Sequence, residues 1–262
     1  MTALPVDLAP VAAIPWHIEP SGDRLLVVAF DAGRDATALR AANRQACAAA
    51  VRIAAAALPG VTDVVPALAT LGIHYRPSAV GAAAGTAPFR ALSAALSALL
   101  AEPLGASTAS ARVVDIPVCY GGDHGPDLEE VAASCGLAPD AVIALHSAAP
   151  VDVLMLGFAP GHPYVGKFDA RLAPPRRSTP RTAVPAGSIG LANCQSVIYP
   201  MVLPGGWNLI GRTPLALFDP HRDAPCLLNA GDQVRFVPVS AAQFDEIAAS
   251  QGTPSPAHGV NR

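Results

Sequence analysis

A chain of 262 residues is long enough for one large domain or two modest ones. It is 52% hydrophobic and 14% charged, enough to bury a real core, and its formal net charge of −3 excludes the global basic field that recruits nucleic acid. The longest apolar run, "ACAAAVRIAAAALPG", is broken by Arg52 and is too short and alanine-rich to span a bilayer.

Residues 1–13 are rich in Pro and Ala and are expected to be loose. The N-terminus lacks a basic region followed by an apolar one, so no signal peptide is expected and the protein is placed in the cytoplasm. "RLLVVAF" (Arg24–Phe30) reads as a buried strand. Asp35 is placed to cap the helix that follows, in which Leu39, Ala46, Ala50, Ile53 and Ala57 recur at helical spacing before "LPG" stops it. "VTDVVPALAT" and "LGIHYRP" read as two strands, and "APFRALSAALSALLAE" as a second helix with Phe89, Leu92, Leu96 and Leu99 inward. Strand–helix–strand–strand–helix suggests a small sheet with helices on one face.

The chain changes character near residue 105. "ARVVDIPVCY" reads as a strand, and "GGDHGPDLEEVAASCGL" as a helix start at Pro126 and Asp127, with Asp127 as its cap and Gly136 as its stop. Glu129 and Glu130 suit the positive end of that helix's dipole. "APDAVIALHSA" is a second short helix. From Val151 onward the β runs are short and separated by Gly and Pro: "VDVLMLGF", "AVPAGSIGLA", "SVIYPMV", "WNLIGRT", "LALFD" and "CLLNAGDQVRFVPV". Strands at this spacing suggest a closed or nearly closed barrel. A short helix, "SAAQFDEIAAS", follows, and the tail "GTPSPAHGVNR" is expected to be disordered. The fold class expected is α+β: a small mixed α/β domain over residues 14–105, then a β-barrel domain over 106–248.

Residues 157–235 hold the chemistry-bearing types. "GFAPGHPYVGKF" packs turn-formers around His162, Tyr164 and Lys167, the single lysine of the chain. Arg171, Arg176, Arg177 and Arg181 follow closely. Forked guanidiniums on a proline-stiffened backbone suit a carboxylate or phosphate clamp, and they equally suit a solvated basic loop tied to the barrel. The glycines of "VPAGSIG" and "PGGWNLIGRT" allow either close approach to a ligand or a tight barrel corner. Trp207 is either a core plug or a stacking platform. His162, between prolines in a Gly-rich loop, is the candidate for proton transfer; His146 reads as a satisfied structural histidine. Asp123 and His124 could face a ligand. The five cysteines form no CxxC pair, and the chain lacks HExxH, GxxxxGK[ST] and a nucleophile elbow. Reduced thiols, no metal site and no acyl-enzyme route are therefore expected.

"YGGDHGPDLEEVAASCGL", "VIALHSA", "MLGFAPGHPYVG", "PPRRSTPRTAVPAGSIG" and "YPMVLPGGWNLIGRTPLALFD" together resemble one family over about residues 15–240. It is the family of the 5-oxoprolinase B component, also known as allophanate hydrolase subunit 1 or as a sensor-kinase inhibitor, and it is similar to half of the carboxyltransferase domain of urea carboxylase. The resemblance implies a cyclophilin-like barrel after the N-terminal α/β domain. It implies two partners, a related carboxyltransferase-like C component and a lactam-utilising A component. It also implies ATP (with Mg as an option) bound by the complex, with no intrinsic cofactor. The set would open 5-oxoproline to glutamate. A lactam carbonyl is a poor electrophile, and phosphorylating its oxygen exposes the ring carbon to water, which is the physical reason for ATP. Carried onto this chain, Arg176, Arg177 and Arg181 would bind anions and His162 would move a proton or orient the ligand. Tyr164, Lys167, Gly187, Ser188, Gly205, Gly206, Trp207 and Arg212 would bind substrate or nucleotide or shape the site. The family often has Phe at His162 and a small residue at Lys167, so this loop is more polar than usual. Two alternatives stand beside the hydrolase reading: a regulator that docks on a sensor histidine kinase, and half of a biotin-dependent carboxyltransferase acting on urea-like substrates.

Overall fold

The computed structural model describes residues 14–33, 35–102, 104 and 112–251. The expectations for the loose N-terminus and the disordered tail fall outside these residues. The chain forms two compact units, dividing between Ala111 and Arg112.

The N-terminal unit is an antiparallel sheet in the order β1 (Trp16–Pro20), β2 (Leu25–Phe30), β4 (Thr70–Tyr75), β3 (Val61–Ala67). The helices are α1 (Ala36–Ala56) and α2 (Pro88–Ala101). Alternation sets the core: Leu26, Val28 and Phe30 from β2 and Leu71, Ile73 and Tyr75 from β4 share one face. Ala42, Ala46, Ala49 and Ile53 of α1 and Leu92, Leu96 and Leu100 of α2 cover it. The small side chains of α1 let that helix lie close to the sheet. Asp35 caps α1 as expected, its carboxylate accepting from Ala38 N–H at 2.8 Å. On α2 Leu92 and Leu96 are buried as expected together with Leu100, and Phe89 and Leu99 pack partly buried against the same core. Strand β1 has no counterpart among the expected elements; its burial alternates weakly, as suits an edge strand.

The C-terminal unit begins with β5 (Val113–Tyr120), α3 (Leu128–Cys135) and α4 (Pro139–His146). Next come β6 (Val151–Leu156), β7 (Pro163–Gly166), β8 (Arg181–Val184), β9 (Ser188–Ala192) and β10 (Gln195–Ile198). The remainder are β11 (Leu203–Gly205), β12 (Asn208–Arg212), β13 (Gln233–Pro238) and α5 (Ala241–Gln251). Seven strands pair in the order β6-β13-β5-β12-β9-β10-β7, and β7 pairs back onto β6, so the sheet closes into a barrel as expected. Strands β8 and β11 form a separate two-stranded ribbon. "LALFD" makes only one bridge, Phe218 to Cys226, and is not a strand.

Two apolar clusters follow from the alternation. The larger combines Ile116, Val118, Val153, Val165, Ile189, Leu191, Ile210, Val234 and Phe236 with Leu128, Val131 and Val142 from the helices. The smaller gathers Val184, Ala192, Val197, Tyr199, Trp207 and Leu209, with Tyr164 and Leu203 against it. All five cysteines are free of disulfides. No helix among the described residues is long and apolar enough to cross a membrane.

Candidate functional site

The smaller cluster brings together most of the ring-bearing residues that the sequence singles out. Strand β7 carries Tyr164, and the loop before it carries His162. Their rings lie 5.1 Å apart between centroids. Tyr164 meets Trp207 edge-on at 6.2 Å. The guanidinium of Arg176 sits over the Trp207 ring, 5.0 Å from its centroid. Trp207 is therefore both things at once: buried to 7% exposure, and a platform for an arginine.

Tyr199 completes the group, although in sequence it shows only as part of a strand. Its ring meets His162 edge-on at 5.2 Å. Burial pushes its phenol up to about 12, against the opposing pull of the Arg176 and Arg181 charges. Gly205 exists for this packing: a Cβ there would overlap the Tyr199 hydroxyl.

His162 is 1% exposed, and its Nδ1 has no hydrogen-bond partner. Burial lowers its pKa to about 4, so the imidazole is neutral at pH 7. Phe158 leans on it edge-on at 5.5 Å. That phenylalanine is 66% exposed, with φ of 75°, a left-handed conformation uncommon for a bulky residue. His146 is the satisfied histidine expected. Its Nδ1 is 2.7 Å from the Tyr120 hydroxyl and its Nε2 is 2.8 Å from Ser196 Oγ. Full burial lowers its pKa to about 3.

The remaining arginines are anchored by a carboxylate. Asp127, the expected cap of α3, makes no capping bond with its side chain. It is 4% exposed and turns toward β12 instead. Its Oδ2 accepts from Leu209 N–H at 2.7 Å, and its Oδ1 accepts from Arg181 Nη2 at 2.7 Å and from Arg177 Nη1 at 3.3 Å. Arg177 also reaches Glu130 at 3.3 Å. The guanidiniums keep buried donors without partners, Nε of Arg177 and Nη1 of Arg181. A groove of about 340 Å³ runs between α3 and the 174–179 segment, lined by Glu130, Ser134, Arg176, Arg177, Ser178 and Asn208.

Other expected site residues hold the frame. Gly187 has φ of 82°, donates to Tyr199 O at 2.7 Å and accepts from Thr213 N–H at 2.9 Å. Ser188 is buried, and its carbonyl accepts from Tyr199 N–H at 3.0 Å. Gly206 O accepts from Arg177 N–H at 2.8 Å, and Arg212 Nε donates to Ala186 O at 2.7 Å. Lys167 lies exposed past the end of β7. Arg171 is paired with Asp169 at 2.9 Å, and the ring of His124 is packed against Phe244. No group of three or more metal-ligating side chains exists among the described residues.

The carboxyltransferase domain family, subdomain C and D, matches residues 16–228. The 5-oxoprolinase B component of Bacillus subtilis (strain 168) is 41% identical over 239 residues, covering 88% of this chain and 96% of the relative. The crystal structure of TTHA0988 aligns with a TM-score of 0.69 at 38% identity over 83% of this chain; the chain spans 40% of that protein. The urea amidolyase of K. lactis, at 18% identity, shares the fold with a TM-score of 0.68 over 95% of this chain and 16% of its own. The chain therefore belongs to the carboxyltransferase subdomain C and D family and to the family of the 5-oxoprolinase B component.

Proposed function

We propose that this chain is the B component of an ATP-dependent 5-oxoprolinase in the cytoplasm. With a related C component and a lactam-utilising A component, it opens 5-oxo-L-proline to glutamate. The observation that carries the reading is the identity of 41% to a 5-oxoprolinase B component across 88% of this chain.

The site chemistry supports it. 5-Oxoproline is a compact ring bearing a carboxylate and an amide. Arg176, held over the Trp207 ring, presents a forked cation to a carboxylate or phosphate. Arg177 and Arg181 share Asp127, so they add charge from fixed positions rather than as free clamps. A histidine with a pKa of about 4 is a poor base near neutral pH, which favours ligand orientation by His162 over proton transfer. Tyr164 and Trp207 form the apolar floor beneath Arg176, and Gly205 lets the chain pass close to the Tyr199 hydroxyl. ATP, with Mg, is bound by the complex. Its terminal phosphoryl group would pass to the lactam oxygen, releasing ADP; one water then adds to the ring carbon and the C–N bond breaks to leave the γ-acyl phosphate, and a second water hydrolyses that to glutamate and phosphate.

Co-expression with the A and C components tests this. Glutamate and ADP are expected from 5-oxoproline only when all components and ATP are present. A stable complex without turnover overturns the substrate, and failure to associate overturns the role as a component of the complex.

A further inference from the structure

We infer that Asp127 is a positioning residue, which fixes the guanidiniums of Arg177 and Arg181 at the site through a buried carboxylate. The inference rests on the proposed role of those arginines in the 5-oxoprolinase complex.

Three observations carry it. The carboxylate is buried and free of its local helix, although it stands where a cap would stand. It is locked to β12 twice: Asp127 N–H donates to Leu209 O at 2.9 Å, and Leu209 N–H donates to Oδ2 at 2.7 Å. That double tie orients the other oxygen, Oδ1, toward both arginines. One buried charge thus faces two cations arriving from the 174–181 segment, and Glu130, the other carboxylate near them, is exposed on its side chain to 73%. An exposed pair is worth little and is readily displaced by a ligand anion, whereas a buried one sets geometry. The partnerless Arg177 Nε and Arg181 Nη1 are the donors left over for that anion.

The test compares D127N and E130Q in the assembled complex. Asparagine keeps an acceptor for Leu209 N–H but loses the charge that orients the arginines. D127N is expected to assemble and to raise the KM for 5-oxoproline or for ATP at least tenfold, with kcat changed less than threefold. E130Q is expected to stay within twofold on both. D127N within twofold of wild type on both KM values overturns the inference, and so does an equal loss in E130Q. A complex that turns over no 5-oxoproline would instead refute the functional reading. Guanidinium Nη–H NMR signals of the full chain then decide the positioning separately. They should be sharp and slowly exchanging for Arg177 and Arg181, and broadened in D127N but not in E130Q. Unchanged signals in D127N overturn the inference. If D127N fails to fold, the R181K and R177K variants replace it, with the same KM rise expected and an unchanged KM refuting.

Discussion

Replacing His162 by phenylalanine should stabilise the barrel unit and remove part of its acid sensitivity. The imidazole sits in a place shaped for a ring, against Phe158, Tyr164 and Tyr199, and its Nδ1 has no partner. A phenyl ring keeps the edge-to-face contacts and deletes an unsatisfied polar atom, a gain of about 1 kcal/mol at pH 7.5. The pH dependence is the sharper part. Folding lowers the pKa from 6.5 to about 4, so the unfolded chain binds a proton that the folded one refuses. The stability held by the neutral ring is complete above about pH 6.5 and is lost as pH falls toward 4, at about 1.4 kcal/mol per unit. Between pH 6.5 and 5 that amounts to about 2 kcal/mol, and His146, lowered to about 3, adds a similar loss. Urea unfolding from pH 7.5 to 5, followed by Trp207 fluorescence in a Trp16→Phe background, isolates the barrel unit. The wild type should lose about 4 kcal/mol over that interval from the two histidines, and His162→Phe about half of it. Parallel pH profiles for the two proteins would refute the claim that His162 is buried in the neutral form.

Gly205→Ala should push Tyr199 out of place and cost about 2–4 kcal/mol in urea unfolding, because the new methyl overlaps the phenol oxygen. Arg176→Ala should raise the KM of the complex for its anionic ligand about tenfold or more, and Arg176→Lys should recover only part of that, since an ammonium cannot fork over an indole as guanidinium does; steady-state kinetics decide it. Ser196→Ala strands His146 Nε2 and should cost about 1–3 kcal/mol by urea melt. Arg235→Ala, which breaks the exposed pair with Asp115 at 2.7 Å, should leave the urea unfolding midpoint unchanged, because solvent screens that pair.

Periodicity exposes the elements that bury one face. Strands β2, β4 and β13 and helices α1 and α2 are legible because their apolar spacing repeats over a turn or more. Strand β7 is hidden: its four residues, Pro163–Gly166, begin with proline and end with glycine, so the local pattern reads as a turn. At the site, arginines and tryptophan announce themselves by type, and the fold brings Arg176 to Trp207 across thirty residues of chain. Asp127 cannot be read this way. An acidic residue before a helix has the same local sequence whether it caps that helix or pairs with arginines 50 and 54 positions downstream. Tyr199 is masked for a similar reason, as an aromatic at a strand end is common, and only the approach of Gly205 shows that its hydroxyl has a dedicated place.

The barrel is closed by its own ends. β5 opens the C-terminal unit and β13 nearly finishes it, and they run parallel in register from Val113 with Gln233 to Val118 with Pro238. A growing chain leaving the ribosome cannot complete this seam until residue 238 has emerged, whatever the intervening hairpins have done. Synthesis therefore leaves the edge of β5 open for more than a hundred residues of elongation, a period in which it is open to pairing with another nascent chain. A stop codon placed before β13 should yield aggregation rather than a smaller soluble barrel, and expression at reduced translation rate should lengthen the same vulnerable interval.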